Sequence, residues 1–273
     1  MSAAGLLWFD DEGCLDAGIA GGKGASLAAM TAAGLPVPPG FVIPSAALEQ
    51  AVDGRRLREL AGARAHAVAQ ELVLAAEPPR AQISAAYEAL GGGRVAVRSS
   101  AAAEDSAAAS FAGQQETYLE VVGADEVCAR VVECWASFFS ERAIFYRAHK
   151  GSLDDLSMAV VVQRMVEAEK SGVIFTADPV QRRRDQMIVE ATLGLGEQVV
   201  SGEVTPDHYV VDREGVPKRQ VLVGDGALSP GELRELAALG RALEEHFGMP
   251  QDIEWAIEGG RIFLLQSRPV TTL

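Results

Sequence analysis

The chain has 273 residues, 48 % of them hydrophobic, with 24 basic and 38 acidic side chains and a formal net charge of −14. That length suits one large domain or two lobes with a sizeable core. The acidic balance argues against a nucleic-acid or anionic-membrane surface, and no apolar run approaches the roughly 20 residues that a membrane span needs.

From the N-terminus, Met1 to Asp10 lacks the basic start and long apolar stretch of a signal peptide, so a cytoplasmic protein is expected. Gly21-Gly-Lys23-Gly-Ala-Ser26 joins glycine flexibility, one lysine and a helix start. Amides at a helix N-terminus attract phosphate and a lysine adds a point charge, although the order is not that of a Walker A loop. Leu27 to Ala33 reads as a short helix ended by Gly34-Leu-Pro36, and Phe41 to Ile43 as a strand. Leu57 to Ala76 and Arg80 to Leu90 are helical in pattern around Pro78-Pro79. Arg94 to Arg98 and Glu116 to Val122 read as strands flanking a loop of small residues. Such a loop either folds over a nucleotide, because missing side chains let the backbone approach phosphates, or is a surface hairpin.

Asp125 to His149 is expected to form one long amphipathic helix, with Val127, Val131, Trp135, Phe138, Phe139 and Ile144 as its core stripe. Cys14, Cys128 and Cys134 are odd in number and lack metal-ligand spacing, which reads as reduced thiols. Met158 to Met165, Gly172 to Thr176 and Gln186 to Ala191 are strand-like, and Arg182-Arg183-Arg184 between two of them reads as a solvated loop. After the third, Glu190 and Glu197 flank a double-glycine turn; they either help hold a metal or a ribose, or are solvated acids of a structural turn. Ser229-Pro-Gly-Glu232 is a capping box with proline at the first helical position, opening a helix to about His246.

The chain closes on a hairpin. Ile253, Trp255 and Ile257 alternate with Asp252, Glu254 and Ala256, Ile262 to Leu265 is the return strand, and Gly259-Gly260 marks the turn. A plain two-residue loop sets Glu254 against Leu265 and turns Gln266 to the other side of the sheet. A three-residue loop, or an equivalent bulge, sets Glu254 against Gln266, Asp252 against Arg268, Trp255 against Leu265 and Ile257 against Phe263. One face is then polar and one apolar, which a sheet with one buried face prefers. A three-residue turn or its bulged equivalent is therefore expected. The polar face carries an acid and an amide able to hold Mg²⁺, beside an arginine able to neutralise a phosphoryl group, or it is an ordinary solvated face.

Taken in order, these segments resemble one family: the N-terminal nucleotide-binding domain of phosphoenolpyruvate synthase, pyruvate phosphate dikinase and rifampicin phosphotransferase. The residues that carry the resemblance are Gly22-Lys23-Gly-Ala-Ser with Gly34-Leu-Pro-Val-Pro-Pro-Gly-Phe, Val97-Arg98-Ser-Ser, Ser110-Phe-Ala-Gly-Gln-Gln-Glu-Thr, Gln163-Arg-Met-Val, Gly172-Val-Ile-Phe-Thr-Ala-Asp-Pro, Glu190-Ala-Thr-Leu-Gly-Leu-Gly-Glu, and Asp252-Ile-Glu-Trp with Leu265-Gln-Ser-Arg-Pro. They span nearly the whole chain.

The resemblance implies an α+β, ATP-grasp fold of two lobes with the nucleotide between them: residues 1–163 as the lobe with the phosphate-binding loops, residues 164–273 as the lobe with the metal-binding hairpin. It implies ATP and Mg²⁺ as cofactors. Lys23 and Arg98 are to hold phosphates, the loop around Gly113 and Gln114 to cover them, and Gln163 with the backbone near Met165 and Val166 to border the adenine. Glu190 carries over as a nucleotide contact, with Glu167 or Glu169 as further candidates for the ribose. Glu254 and Gln266 are to bind Mg²⁺, and Arg268 to stabilise the transferring phosphoryl group.

Two departures stand out. The stretch between Phe41 and Val95 is short for the family. The phosphohistidine and substrate domains that follow in the family have no counterpart, and His66, His149, His208 and His246 read as surface or packing residues. The expected function is a module that passes a phosphoryl or pyrophosphoryl group from ATP to a histidine on a separate partner, forming AMP. The alternatives are a kinase or ligase acting on a small-molecule acceptor, a nucleotide sensor without turnover, and a fragment of a longer protein.

Overall fold

The computed structural model describes residues 5–63, 65–102, 116–141, 143–144, 158–195, 205–271 and 273. The chain folds as two compact units, Met1–Ala29 with Pro39–Met165, and Met30–Pro38 with Val166–Leu273. The main seam falls two residues beyond Gln163. Met30–Pro38, which a single cut assigns to the first lobe, belongs to the second unit: the Leu264 amide donates to the Pro36 carbonyl at 2.8 Å.

The first unit holds β1 (Leu7–Trp8), α1 (Ala17–Ala32), β2 (Gly40–Ile43), α2 (Ala46–Ala51), α3 (Gly54–Gly62), α4 (His66–Leu74), α5 (Arg80–Ala89), β3 (Arg94–Ala101), β4 (Thr117–Val122), α6 (Ala124–Ser137) and β5 (Met158–Arg164), the last residues of α1 passing into the second unit. Its sheet is antiparallel in the order β1-β2-β5-β3-β4. Val95, Val97, Val160, Val162, Phe41 and Ile43 point to one face, where Leu57, Val73, Ile83, Val131 and Trp135 of the helices complete a core. The alternation of side chains along a strand sends Ala96, Arg98 and Gln163 to the opposite face.

The expected helix over Leu57 to Ala76 is two helices, broken after Gly62, where the Ala65 amide turns back to the Leu60 carbonyl. The expected long helix from Asp125 ends at Ser137. There the Ser137 hydroxyl donates to the Cys134 carbonyl, competing with the helical ladder, and Phe138 and Phe139 pack edge to face with centroids 5.3 Å apart. Of that expectation, residues 142 and 145–149 lie outside the described residues.

The second unit holds β6 (Lys170–Phe175), β7 (Gln186–Leu193), β8 (Asp207–Asp212), β9 (Pro217–Val221), α7 (Pro230–Phe247), β10 (Gln251–Glu258) and β11 (Arg261–Pro269). Its sheet is antiparallel in the order β11-β10-β6-β7-β8-β9. β8 and β9 went unanticipated: the turn Asp212 to Gly215 that joins them has Gly215 at φ +82°, a hairpin signal hidden in a charged stretch. Helix α7 runs over β6 and β10 on the apolar side of the sheet, where Ile174, Met187, Val189, Ile253, Trp255 and Ile257 are buried. At Gly240 it comes closest, since an added Cβ would lie 3.2 Å from Thr176 Cγ2 and 3.5 Å from Ile174 Cδ1. Its start is the expected capping box: the Glu232 amide donates to Ser229 Oγ, and the Ser229 amide to Glu232 Oε2. The other side of β6, β7, β8, β10 and β11 carries polar groups among apolar ones such as Ile188, Val210, Ala256 and Phe263. Among the described residues no helix is long and apolar enough to cross a membrane.

Candidate functional site

In the first unit the site is built from a broken helix. Gly21 sits at φ +71°, ψ 171° inside α1, so the helix stops and restarts at Gly22. Only glycine adopts that conformation readily, and a Cβ there would lie 2.2 Å from the Ser100 carbonyl oxygen. Ser100, at the end of β3, stitches the break: its hydroxyl donates to the Ala20 carbonyl at 2.9 Å and accepts from the Gly24 amide at 3.2 Å. It caps the restarted helix from another strand, doing what an N-cap side chain does within one chain segment. Lys23 falls in the first turn of that segment, is 3 % exposed, and donates from Nζ to the Ser99 carbonyl at 3.3 Å.

Arg98 precedes these two serines and is 8 % exposed; Gln163, 2 % exposed, shares its sheet face through the pairing of Ala96 with Gln163. A lysine in the first turn of a helix and a buried arginine on β3 are groups of the kind that attract polyanions. Gly113 and Gln114 lie outside the described residues. The base of their loop is closed, since the Glu116 amide donates to Ser99 Oγ at 3.2 Å and the Ser99 amide to the Glu116 carbonyl at 3.0 Å. Met165 ends this unit, its amide on the Arg94 carbonyl and its sulfur accepting from the Glu120 amide at 3.0 Å.

In the second unit the site depends on register. The loop is two residues, Gly259 and Gly260, both with positive φ, and Ile257 faces Ile262 while Trp255 faces Leu264. A bulge at Leu265 then makes up the missing residue, and from there Glu254 faces Gln266 and Asp252 faces Arg268. The polar pairing therefore arises through the bulge, and the expected partners of Trp255 and Ile257 each shift by one residue. The strands on both sides keep their alternation, so Glu254, Gln266, Asp252 and Arg268 share one face, away from buried Trp255.

Directly opposed residues on antiparallel strands hold their Cβ atoms about 5 Å apart, which lets the Glu254 carboxylate and the Gln266 amide oxygen converge on one cation. Among the described residues no cluster of three or more histidine, cysteine or acidic side chains is placed for a metal. Two oxygens are too few for a protein cage, but suit Mg²⁺, which commonly takes one or two protein ligands and fills its shell with phosphate and water.

Arg268 is held rather than loose. Its Nε and Nη2 both lie 2.8 Å from Asp252 Oδ2, and its side chain stays 53 % exposed while that of Asp252 is 11 % exposed. Burial pushes the Asp252 carboxyl above the ordinary aspartate range; Arg268 pulls it back, Glu254 and Glu190 push it further, and the net is upward. Sequence reasoning set Asp252 opposite Arg268 but gave it no role; it fixes the guanidinium on the polar face. Beside this group Val166, Ala256 and Phe263 form a small apolar cluster with Ala168 and Leu265. Glu190 stands in the same row of the sheet as Glu254, with Val173 between them. Glu197 lies outside the described residues. Glu169 is engaged at the hairpin turn, accepting from the Gly259 amide at 3.0 Å, and the Glu167 amide donates to Glu258.

Residues 17–273 match the family described as the pyruvate phosphate dikinase AMP/ATP-binding domain. A probable phosphoenolpyruvate synthase of Archaeoglobus fulgidus is 43 % identical to this chain over 315 aligned residues, covering 98 % of this chain and 42 % of that protein. A probable phosphoenolpyruvate synthase of Methanothermobacter thermautotrophicus is 41 % identical, covering 98 % of this chain and 46 % of its own length. A rifampicin phosphotransferase of a Streptomyces species is 40 % identical, over 99 % of this chain and 36 % of that protein. The chain thus spans less than half the length of these relatives. With the helix break at Gly21 just before Lys23 and the bulged Glu254–Gln266 pair in its two units, the chain belongs to the pyruvate phosphate dikinase AMP/ATP-binding domain family.

Proposed function

We propose that the chain is a Mg·ATP-dependent phosphotransferase module that passes a phosphoryl or pyrophosphoryl group from ATP to a histidine on a separate partner, forming AMP. The observation that carries this reading is the bulged hairpin. It spends an irregularity to set a carboxylate, an amide and a clamped arginine on one face, which a merely structural hairpin has no need to do.

On this reading Lys23 and Arg98 bind phosphate oxygens, Gln163 with the backbone around Met165 and Val166 takes the adenine, and Glu190 contacts the nucleotide. Glu254 and Gln266 hold Mg²⁺, which neutralises charge on the phosphates when bound. Arg268, oriented by Asp252, meets the charge that develops on the group in transit. Phosphoryl transfer asks a protein for positioning and electrostatic stabilisation more than covalent help, and these side chains supply both. The acceptor comes from outside this domain.

The test is to incubate the chain with Mg·ATP, alone and with candidate phosphohistidine-bearing proteins encoded beside it. Partner-dependent formation of AMP with a phosphorylated partner histidine is expected. ADP with a phosphorylated small molecule and no partner would overturn the proposal in favour of a direct kinase, and ATP binding without any turnover in favour of a sensor.

A further inference from the structure

We propose that His208 is a positioning residue for Glu190, and that the pair faces the ribose of the bound nucleotide. The proposal rests on the reading of this sheet face as a Mg·ATP site and deepens it. It starts from the register. Gln266 is opposite Glu254, Glu254 opposite Val173, Val173 opposite Glu190, and Glu190 opposite His208. Directly opposed residues project to the same side, so a single row across five strands carries the metal-binding pair at one end and Glu190 with His208 at the other. His208 is therefore not a stray surface histidine.

The chemistry of the pair follows from its surroundings. His208 Nδ1 lies 3.5 Å from Glu190 Oε1, with side chains 30 % and 33 % exposed, sheltered yet open to a ligand. Among the described residues no arginine or lysine pairs with Glu190, and the imidazole is the basic group placed against it. By the strand register Asp252, Glu254 and Glu190 put three carboxylates on one face. A polyphosphate is repelled by a carboxylate with no cation between them; a hydroxyl-bearing sugar is not, because its O–H groups donate and the carboxylate accepts. Two interstrand spacings put Glu190 about 10 Å from Glu254 along the row. That is the scale separating metal-bridged phosphates from the ribose hydroxyls in a nucleoside triphosphate, and Val173 between them gives an apolar floor. His208 draws one oxygen of Glu190 toward β8 and leaves the other for the sugar.

Calorimetric titration of the 273-residue chain with Mg·ATP and with Mg·2′,3′-dideoxyATP tests this. Wild type is expected to prefer ATP. His208→Ala should weaken ATP binding by about three- to tenfold and narrow that preference, with melting temperature unchanged. His208→Asn should restore much of both, since its amide nitrogen takes the place of Nδ1. Adding His208→Ala to Glu190→Gln should cost nothing more, the signature of one residue acting through the other. If wild type binds Mg·ATP but His208→Ala keeps both the affinity and the preference, or costs as much without Glu190 as with it, the proposal is overturned. If wild type fails to bind Mg·ATP, the functional reading falls first and this one with it.

Discussion

The candidate residues of the two units are set in place by opposite means. In the first unit the backbone is the device: a glycine that alone tolerates φ +71°, a serine from another strand that caps the broken helix, and a lysine almost wholly buried against a carbonyl. In the second unit the device is side-chain register, set by one bulge, and the groups it aligns are partly exposed. Backbone-built sites are rigid and fail by losing the fold; register-built sites fail by losing chemistry while the fold survives.

The largest expected effect breaks this comparison if it goes wrong. Arg268→Ala should lower partner-dependent turnover by about 10²- to 10³-fold, the size seen when one preorganised charge-stabilising donor is removed, while Kd for Mg·ATP changes little. Glu254→Ala should weaken Mg·ATP binding as well. Both variants should melt near wild type, because their side chains are partly exposed and the apolar side of the sheet is untouched. Equal loss of nucleotide binding in both would mean that Arg268 is a ground-state contact and not a transfer residue.

On the other side, Gly21→Ala should act on the fold. It combines a positive φ with a collision against the Ser100 carbonyl, and the expected loss is about 2–4 kcal/mol in urea unfolding. Ser100→Ala keeps the glycine but removes the cap on Gly24 and the bond to Ala20, for about 1–2 kcal/mol. If either variant loses phosphate binding at full stability, the arrangement around Lys23 is not backbone-built.

How much of this was legible follows the same division. The hairpin pairings of Glu254 and Asp252 are readable because alternation forces a choice between registers, and only one choice segregates polar from apolar. The bulge was readable as a requirement, not as a place, because two glycines fit a two-residue turn equally well. The helix around Lys23 read as beginning at Leu27, since glycine-rich sequence is a poor helix former; tertiary stitching by Ser100 supplies what propensity lacks. His208 was illegible for a different reason. Its partner is a cross-strand neighbour, and the strand carrying it was not recognised, so no spacing argument could bring the two together.

The smallest effect concerns what keeps the second sheet in place behind its polar face. Lys170 on β6 reaches Glu232 at the start of α7, with Nζ 2.7 and 2.9 Å from the two carboxylate oxygens. Burial pushes the Glu232 carboxyl upward, but the bond from Lys170 and those at Ser229 outweigh it, and it titrates below its ordinary value of 4.5. A carboxyl whose folded pKa is depressed contributes stability above the unfolded pKa and loses it as pH falls through the folded one. Glu232→Gln should therefore cost about 1 kcal/mol at pH 7, the scale of one capping interaction with a partly buried ion pair, and the gap to wild type should close as pH drops below about 4. Urea unfolding at pH 7 and at about pH 3.5 measures both. Nucleotide affinity at pH 7 should stay unchanged, since the pair lies on the helix side of the sheet; a parallel loss of affinity would mean that the two faces are coupled, and that the register-built group leans on its backing as much as the group around Lys23 leans on its backbone.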